Sequence, residues 1–284
     1  MGSKVPLTPT PLTLTPPWRA VGNLVLFVAS LSIVVPLLLV IATSLKPAIE
    51  IHGGLPWPQS PTGGNYVEVF DKIPLGLYFW NSAATTALRV GGQLVIALLA
   101  AYAFARFEFR GRDLLFALTL GAMMLPHSLT FLPTYLMISW LGWFDTWWGL
   151  IVPNLAAPVG VFLLRQHMLA FPRDLLDAAQ IDGAGPWRAL WLVILPNIQP
   201  ALAAIGILLF IDCWNEYFWP LVITESQDSM TVQIGIRRFL DAERGDDLGP
   251  LMAGVVLVSL PAMAVFLWFQ RRILETFVSA GLKG

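Results

Sequence analysis

Residues 20–43 read AVGNLVLFVASLSIVVPLLLVIAT and contain no charged side chain. A helix needs about 20 apolar residues to cross a hydrocarbon core of about 30 Å, so this stretch alone is long enough to span a membrane. Six predicted transmembrane helices pass this test, at residues 20–43, 80–105, 114–139, 147–169, 201–223 and 251–269. Backbone groups in lipid must be hydrogen-bonded within their own segment, and the alternating pattern of a membrane barrel is absent from the sequence. The sequence therefore predicts an all-α integral membrane protein.

The composition supports a membrane protein and argues against several classes of activity. Hydrophobic residues make up 56% of the chain, charged residues 12%, and the mean hydropathy is +0.69. The net charge of −1 provides no basic face for a nucleic acid. Cys213 is the only cysteine, the three histidines are scattered, and the sequence has no nucleophile elbow, phosphate-binding glycine loop or HExxH. We therefore expect no catalytic activity, cofactor or metal in this chain.

The distribution of Lys and Arg predicts the orientation, because cytoplasmic loops carry the excess of these residues. With the N-terminus inside, eleven of them face the cytoplasm: Lys4, Arg19, Arg106, Arg110, Arg112, Arg165, Arg173, Arg188, Arg271, Arg272 and Lys283. Five face outward: Lys46, Lys72, Arg237, Arg238 and Arg244. Both termini are therefore predicted to be cytoplasmic. The first apolar segment lacks a small-residue cleavage site, so we interpret it as a retained helix and not as a signal peptide.

The chain is predicted to form a single membrane domain. Residues 1–17 are rich in Pro and Thr, which favours a disordered cytoplasmic tail. Residues 18–284 form the transmembrane domain, and the long loop at 46–75 is expected to fold as an outer lip or short helix. The absence of a convincing internal repeat argues against a secondary transporter built from inverted halves.

Residues 172–200, PRDLLDAAQIDGAGPWRALWLVILPNIQP, are a polar island in this apolar chain. Proline suits the first turn of a helix, and Asp174 and Asp177 complement the positive end of the helix dipole. Gly183 to Pro186 then break the helix, and helical periodicity resumes at Trp187. We expect two short helices at an angle on the cytoplasmic face, at about 172–195. Periodicity alone also allows an amphipathic connector that merely lies at the membrane interface.

A resemblance gives this segment a function. Its ordered elements are Asp177-Ala178-Ala179, then Asp182-Gly183-Ala184, then Leu195-Pro196, and they are similar to the EAA motif of ATP-binding-cassette (ABC) importer permeases. In that family the segment is a coupling helix that docks into a groove on the ATPase subunit. Asp177 stands where the family usually has Glu, which keeps the charge and shortens its reach by one methylene. The resemblance implies that these residues contact an ATPase.

Other stretches resemble the carbohydrate-uptake permeases of the same family, of the maltose and sn-glycerol-3-phosphate type. They are AYAFARFEFRGR at 101–112, WNEYFWPL at 214–221 and FVSAGLKG at the C-terminus. The resemblance implies a type I ABC importer permease fold in a bacterial inner membrane. It also implies a second, homologous permease subunit, two ATPase subunits and an extracytoplasmic solute-binding protein. The partner ATPase is expected to bind ATP and Mg, because this chain has no phosphate-binding loop with Lys.

Polar residues within the predicted spans are candidates for the translocation path, since ionisable groups in lipid are costly and tend to be functional. Arg89 and Asp212 lie at comparable depth, so they could form a pair. The functional interpretation places Arg89, Asp212, Asn215 and Glu216 along the path, and the alternative is a structural ion pair or a contact with the partner permease. Trp214, Tyr217, Phe218 and Trp219 are candidates to stack on a sugar, although aromatic residues at helical spacing also serve as packing or interface anchors.

The outer loop at 224–250 is either passive or a contact for the solute-binding protein, with Arg237 and Arg238 as candidate contacts. The resemblance implies that the solute is a carbohydrate or sn-glycerol 3-phosphate, because permeases for both contain segments similar to WNEYFWPL at 214–221. An unpaired Arg89 would favour a phosphate, and an Arg89 paired with Asp212 would favour a neutral sugar. An ion-coupled secondary transporter of a small polar solute is the alternative from a different class.

Overall fold

The structure, a computed structural model, describes residues 16–237, 239 and 248–281. Within these ranges the chain is helical, and no strand occurs. The helices are α1 Pro16–Ser44, α2 Ala48–Ile51, α3 Gly64–Lys72, α4 Leu75–Arg106, α5 Arg112–Met123, α6 His127–Trp140, α7 Trp147–Ile151, α8 Pro158–Leu169, α9 Arg173–Ile181, α10 Pro186–Arg188, α11 Leu195–Trp214, α12 Phe218–Ile223, α13 Val232–Arg237 and α14 Leu248–Gly281. A 3₁₀ turn, Val152–Asn154, follows α7, and a π-helical turn, Ala189–Ile194, joins α10 to α11. The predicted all-α class is confirmed.

Four described helices are long and apolar enough to cross a membrane: Trp18–Ser44, Leu75–Arg106, Pro186–Trp214 and Leu248–Gln270. Two bent helix pairs raise the count to six if each pair is one span. The pair Arg112–Met124 and Ser128–Trp140 bends by 101°, and the pair Trp147–Asn154 and Pro158–Leu169 bends by 44°. The predicted helices at 114–139 and 147–169 are therefore each broken. Proline explains both breaks, since Pro126 and Pro158 begin new helices and lack the N–H that a continuous helix needs.

The fifth span lies earlier in the sequence than predicted. It runs from Pro186 to Trp214, whereas the hydropathy window placed it at 201–223. The second of the two expected short helices is therefore the first part of this span. Pro196 does not end it, because Pro196 lies in the first turn of α11 directly after the π-helical turn, and α11 also continues past Pro200, which lies inside it. A wider turn relieves the clash between a proline ring and the preceding carbonyl groups, which would break a regular α-helix.

The helix α4 sets the two ends of the bundle. It has 32 residues, which is about 48 Å at 1.5 Å per residue. Near Leu75 it packs against α3 and α13, and near Arg106 it lies beside the segment that carries α9. We call these the α13 end and the α9 end. The Arg-containing segment at 107–112, which follows α4, lies at the α9 end. The predicted orientation places this segment and α9 on the same side of the membrane, and the structure has them at the same end of the bundle.

Three apolar clusters hold these helices together. The first joins α3, α4, α13 and α14 around Tyr78, and the second joins α4, α8 and the π-helical turn around Leu164 and Leu190. A smaller cluster joins α6, α7 and α12. The contact of α8 with α4 is close because Gly160 faces Ala97, and a Cβ at position 160 would lie 3.2 Å from the Ala97 methyl group. The first two clusters fix the two ends of α4, and Arg89 lies between them.

The first helix and the long loop complete the fold. The helix α1 begins at Pro16, two residues before the predicted start of the membrane domain, since proline is tolerated in a first turn. It packs against α14, and none of the residues in its most apolar stretch is buried within the chain. The loop at 46–75 contains α2 and α3. Most of the expected tail, residues 1–15, lies outside the described residues, as do residues 282–284.

Candidate coupling surface and intramembrane polar site

The helix α9 ends in a glycine turn that explains the spacing of the motif residues. The amide of Ala184 donates to the carbonyl of Ala179 at 2.9 Å, and the amide of Gly183 donates to the carbonyl of Gln180 at 2.9 Å. Gly183 has φ +78°, a left-handed conformation that costs glycine little and other residues more. These two bonds and the left-handed residue make up a Schellman cap. The Asp-Gly-Ala sequence therefore ends α9 at a fixed place.

The motif residues divide into an exposed set and a packed set. Ala179 is buried at 8% exposure, and Ala184 and Leu195 are half-buried. The remaining motif residues are exposed to solvent: Asp177, Ala178, Asp182, Gly183 and Pro196. A Cβ at Gly183 would meet no atom within 4 Å. The first two groups of the motif thus present a small, shallow, acidic surface, whereas Leu195 and Pro196 belong to the base of the fifth span.

Sequence reasoning missed the most exposed apolar side chain of α9. Ile181 is 87% exposed and directly precedes Asp182, and Leu175 on the same helix is 47% exposed. A single exposed apolar side chain is common on protein surfaces, so Ile181 indicates a contact surface only together with the exposed motif residues beside it. The sequence does carry a signal for this residue, because Ile181 is an isoleucine at the end of a short amphipathic helix, immediately before Asp182-Gly183-Ala184.

A polar cavity of about 480 Å³ lies behind α9. Arg106, Arg112, Arg165, Glu108 and Asp177 contribute its charged lining. Arg106 donates to the carbonyl of Met168 in the last turn of α8 and to the carbonyl of Phe171 just after it. The Tyr102 hydroxyl donates to the Pro186 carbonyl at 2.9 Å. The end of α4 is therefore bonded to both sides of α9. This linkage gives α9 a fixed position relative to the span.

Within the span, Arg89 forms an ion pair with Glu216 and not with Asp212. The Nη1 atom of Arg89 donates to Oε2 of Glu216, and the Arg89 residue is only 7% exposed. Asp212 is exposed. In a continuous helix residues 212 and 216 would share a face, but α11 ends at Trp214 and residues 215–217 are not helical before α12 begins at Phe218. The break thus separates the two carboxylates.

The aromatic candidates beside this pair have different environments. Trp214 is 4% exposed, its indole N–H donates to the Val258 carbonyl at 3.0 Å, and its ring stacks on Phe210 at 5.8 Å. Trp219 is also buried and donates to the Gly149 carbonyl. Both tryptophans pack in the core and present no free face to a solute. Tyr217 and Phe218 are exposed, as is Asn215.

The loop that follows α12 is fastened at both ends. The Asn81 side-chain amide on α4 donates to the carbonyls of Asp228 and Met230, at 2.8 and 3.0 Å. The Asp145 carboxylate accepts hydrogen bonds from the amides of Glu225 and Ser226 at the start of the loop, and from the Ser229 hydroxyl near its end. Partial burial raises the pKa of Asp145, but the bonds from Ser229 and the two amides outweigh it and hold the pKa below its ordinary value. Sequence reasoning did not identify Asp145.

The comparisons with known proteins decide the family. Residues 93–276 match the family model described as the binding-protein-dependent transport system inner membrane component. The chain belongs to this family. It is thus an inner-membrane permease component, and the predicted multi-pass membrane localisation is confirmed. The matched range contains α9, Asp212 and Glu216, whereas Arg89 lies just before it.

Several relatives of this permease family are transport proteins. The arabinooligosaccharides transport system permease protein AraQ of Halalkalibacterium halodurans is 33% identical, over 88% of this chain and 91% of that protein. The diacetylchitobiose uptake system permease protein NgcG of Streptomyces coelicolor is 31% identical, over 90% and 86%. The sn-glycerol-3-phosphate transport system permease protein UgpE of Yersinia enterocolitica is 35% identical, over 74% and 75%.

A solved structure shares the permease fold. One chain of a crystal structure of a bacterial ABC transporter, involved in the import of the acidic polysaccharide alginate, matches with a TM-score of 0.83 and 21% identity. The match covers 93% of this chain and 99% of that one. A second match, with a TM-score of 0.59 and 16% identity, covers 89% and 92% and comes from an alginate transporter in complex with a pentasaccharide-bound periplasmic protein. These matches support the predicted ABC importer permease fold.

The remaining candidates in the permease are less defined. Arg237 ends α13 and is half-buried, and Arg238 lies outside the described residues. In the part of the chain that the structure describes, no three His, Cys, Asp or Glu side chains are grouped as a metal site requires. The two arrangements with defined geometry are therefore the exposed surface of α9 and the Arg89–Glu216 pair.

Proposed function

We propose that this chain is the permease subunit of an ATP-driven, binding-protein-dependent importer of a carbohydrate. It forms half of the translocation path and couples that path to ATPase subunits. The observation that carries the proposal is α9, a short capped helix at one end of the bundle that presents an EAA-like surface to solvent. The chain itself supplies no hydrolytic chemistry in this proposal, and ATP and Mg bind to the partner ATPase.

The coupling step follows from the rigidity of α9. The Schellman cap fixes its end, and Arg106 and Tyr102 bond its two flanks to the end of α4. A force applied by an ATPase to Asp177, Ala178 or Ile181 would move α9 and the attached helices together as a near-rigid body. The exposed Ile181 supplies the apolar anchor of such a contact, and Asp177 supplies the charge.

The translocation path is assigned to the face of α11 that carries Asp212. A carboxylate in a membrane span is costly in lipid, so it faces a water-filled path or another protein chain. Asp212 and Asn215 are exposed on this chain and lie near the break between α11 and α12. We therefore place the path, with the second permease subunit on its far side, beside this break.

The ion pair bears on the class of solute. Relatives of this chain are named for arabinooligosaccharides and for sn-glycerol 3-phosphate. An Arg89 free of carboxylates would favour a phosphate, but Glu216 neutralises its charge. A neutral carbohydrate is therefore the favoured solute.

Transport in native membrane vesicles tests the proposal. We expect a tagged chain to co-purify with a second permease and an ATP-binding subunit, and uptake to require both the solute-binding protein and ATP hydrolysis. An ion-coupled carrier would purify without an ATPase and lose uptake on addition of an ionophore. Uptake that continues in the presence of vanadate and stops on addition of an ionophore would therefore contradict the importer and support a secondary transporter.

A further inference from the structure

A small cavity within the bundle is lined by the apolar residues Leu150, Trp214 and Pro220 and by polar side chains from three segments. The helix α4 contributes Ser82, Thr85, Thr86 and Arg89, the α11–α12 break contributes Cys213 and Glu216, and Thr231 comes from the loop before α13. The cavity has a volume of about 20 Å³. A site of about 10–15 Å³ holds one water molecule when polar groups line it, so this cavity has room for one water and none for a sugar ring.

Two of the residues that line this cavity each carry a buried polar atom with no partner among the described residues. These atoms are Nε of Arg89 and Oγ1 of Thr231, and both residues are only 7% exposed. A buried donor or acceptor without a partner costs about 1–3 kcal/mol, and more when the group is charged. Native proteins pair nearly all such atoms, with protein groups or with ordered water. The two atoms therefore point to a shared ligand in the cavity.

The other lining groups are already bonded. The Thr85 hydroxyl donates to the Asn81 carbonyl at 2.6 Å, and the Ser82 hydroxyl accepts from the Val232 amide at 2.8 Å. Glu216 neutralises the charge of Arg89, which removes the attraction for a small anion. A neutral ligand that accepts from Arg89 and also bonds a hydroxyl satisfies these conditions, and water does both.

We propose that one water molecule occupies this cavity and bridges Nε of Arg89 to Oγ1 of Thr231. Arg89 is then bonded on one side to Glu216 at the α11–α12 break, and on the other side, through water, to the loop at 224–231. A displacement of this loop is transmitted to the break beside the translocation path. The water site does not depend on the proposed function, but this transmission role does, because it assumes that the solute-binding protein docks on the loop.

A high-resolution structure of the assembled transporter tests the water site itself. We expect a density peak within about 3.2 Å of both atoms, the upper limit for such hydrogen bonds. A direct bond between Arg89 and Thr231 with no intervening peak would overturn the site. A peak that refines as an ion would overturn it as well.

The transmission role is tested by ATP hydrolysis in reconstituted transporter, with and without solute-loaded binding protein. Thr231→Val keeps the volume and removes the hydroxyl, whereas Thr231→Ser retains it. We expect Thr231→Val to reduce the stimulation by binding protein about fivefold or more, the lower range of coupling between sites, and Thr231→Ser to stay within about twofold of wild type. Thr119→Val makes the same change at a half-buried position outside the cavity whose hydroxyl bonds its own helix, and it should leave stimulation unchanged.

Each outcome distinguishes the two proposals. If wild-type transporter shows no stimulation by the binding protein, the proposed function fails before any variant is measured. If wild type is stimulated and Thr231→Val equals it, the transmission role is overturned and the proposed function stands. A loss in Thr231→Ser as large as in Thr231→Val would also overturn it, because the retained hydroxyl would then be irrelevant.

Discussion

Replacement of Gly183 tests whether the cap of α9 is required for coupling. Gly183 has φ +78°, and nothing lies within 4 Å of a Cβ built there, so any loss must come from backbone conformation or from a partner, not from a clash within this chain. A left-handed conformation costs an alanine about 1–2 kcal/mol, whereas asparagine tolerates it better and a β-branched residue tolerates it least. The uptake rate should therefore be highest for Gly183→Asn, lower for Gly183→Ala and lowest for Gly183→Val.

The size of the effect follows from the length of α9. The helix has nine residues, and isolated helices shorter than about 12–15 residues are marginal, so little stability is available to absorb the loss. A cost of about 1–2 kcal/mol lowers the ratio of ordered to frayed α9 about 5- to 30-fold. Uptake into proteoliposomes and recovery of the ATPase on purification should fall together, while membrane insertion remains normal.

Gly185 provides the matched control for this substitution. It has φ −69°, which any residue can adopt, and a Cβ there would also meet no atom within 4 Å. Gly185→Ala should therefore transport normally. The reasoning is refuted if Gly183→Ala and Gly185→Ala behave alike, or if Gly183→Val retains normal uptake.

Three further predictions concern the acid on α9, the outer loop and the orientation. Asp177→Lys should abolish uptake without preventing insertion, and Asp177→Glu, which restores the residue usual in the family, should preserve it; normal uptake by Asp177→Lys would remove this residue from the coupling surface. Asp145→Asn should lower the thermal stability of the purified protein at pH 7. Because the folded pKa of Asp145 lies below its ordinary value, its stabilisation is present above about pH 4 and is lost as the pH falls through the folded pKa, so the two proteins should converge in acid; an equal difference at all pH values would contradict this origin. In a Cys213→Ser background, Gln227→Cys should react with a membrane-impermeant maleimide from outside the cell and Asp182→Cys only after permeabilisation, and the reverse pattern would invert the predicted orientation.

Hydropathy and charge predicted the membrane class and most of the spans, because transfer of a helix into lipid depends mainly on its summed composition. The helix breaks were not predictable in the same way. Residues 201–223 form one apolar window, yet the helix is interrupted between Trp214 and Phe218 inside it. In contrast, Pro196 suggested a helix end where a π-helical turn allows the helix to continue. Hydropathy sums do not detect either change in backbone geometry.

The candidate site shows the same division. The spacing from Asp177 to Ala184 pointed to the proposed coupling segment, and its physical basis is local, since the Gly183 cap involves only nearby residues. The partner of Arg89 depends on how the chain is oriented after the α11 break, so equal depth alone could not choose between Asp212 and Glu216. Asp145 is linked to Glu225, Ser226 and Ser229 through tertiary contacts across about 80 residues, for which one sequence carries no signal.

The central claim is that the exposed surface of α9 contacts an ATPase. Photo-crosslinking from position 181 tests it most directly, with Ile181 replaced by benzoylphenylalanine in native membranes and Gln227 replaced likewise as the control at the other end of the bundle. Ile181 is 87% exposed, so a probe there reaches whatever covers α9. We expect position 181 to give a cross-linked product that contains an ATP-binding subunit. Position 227 should give no such product. Cross-links from position 181 to lipid alone would contradict the claim.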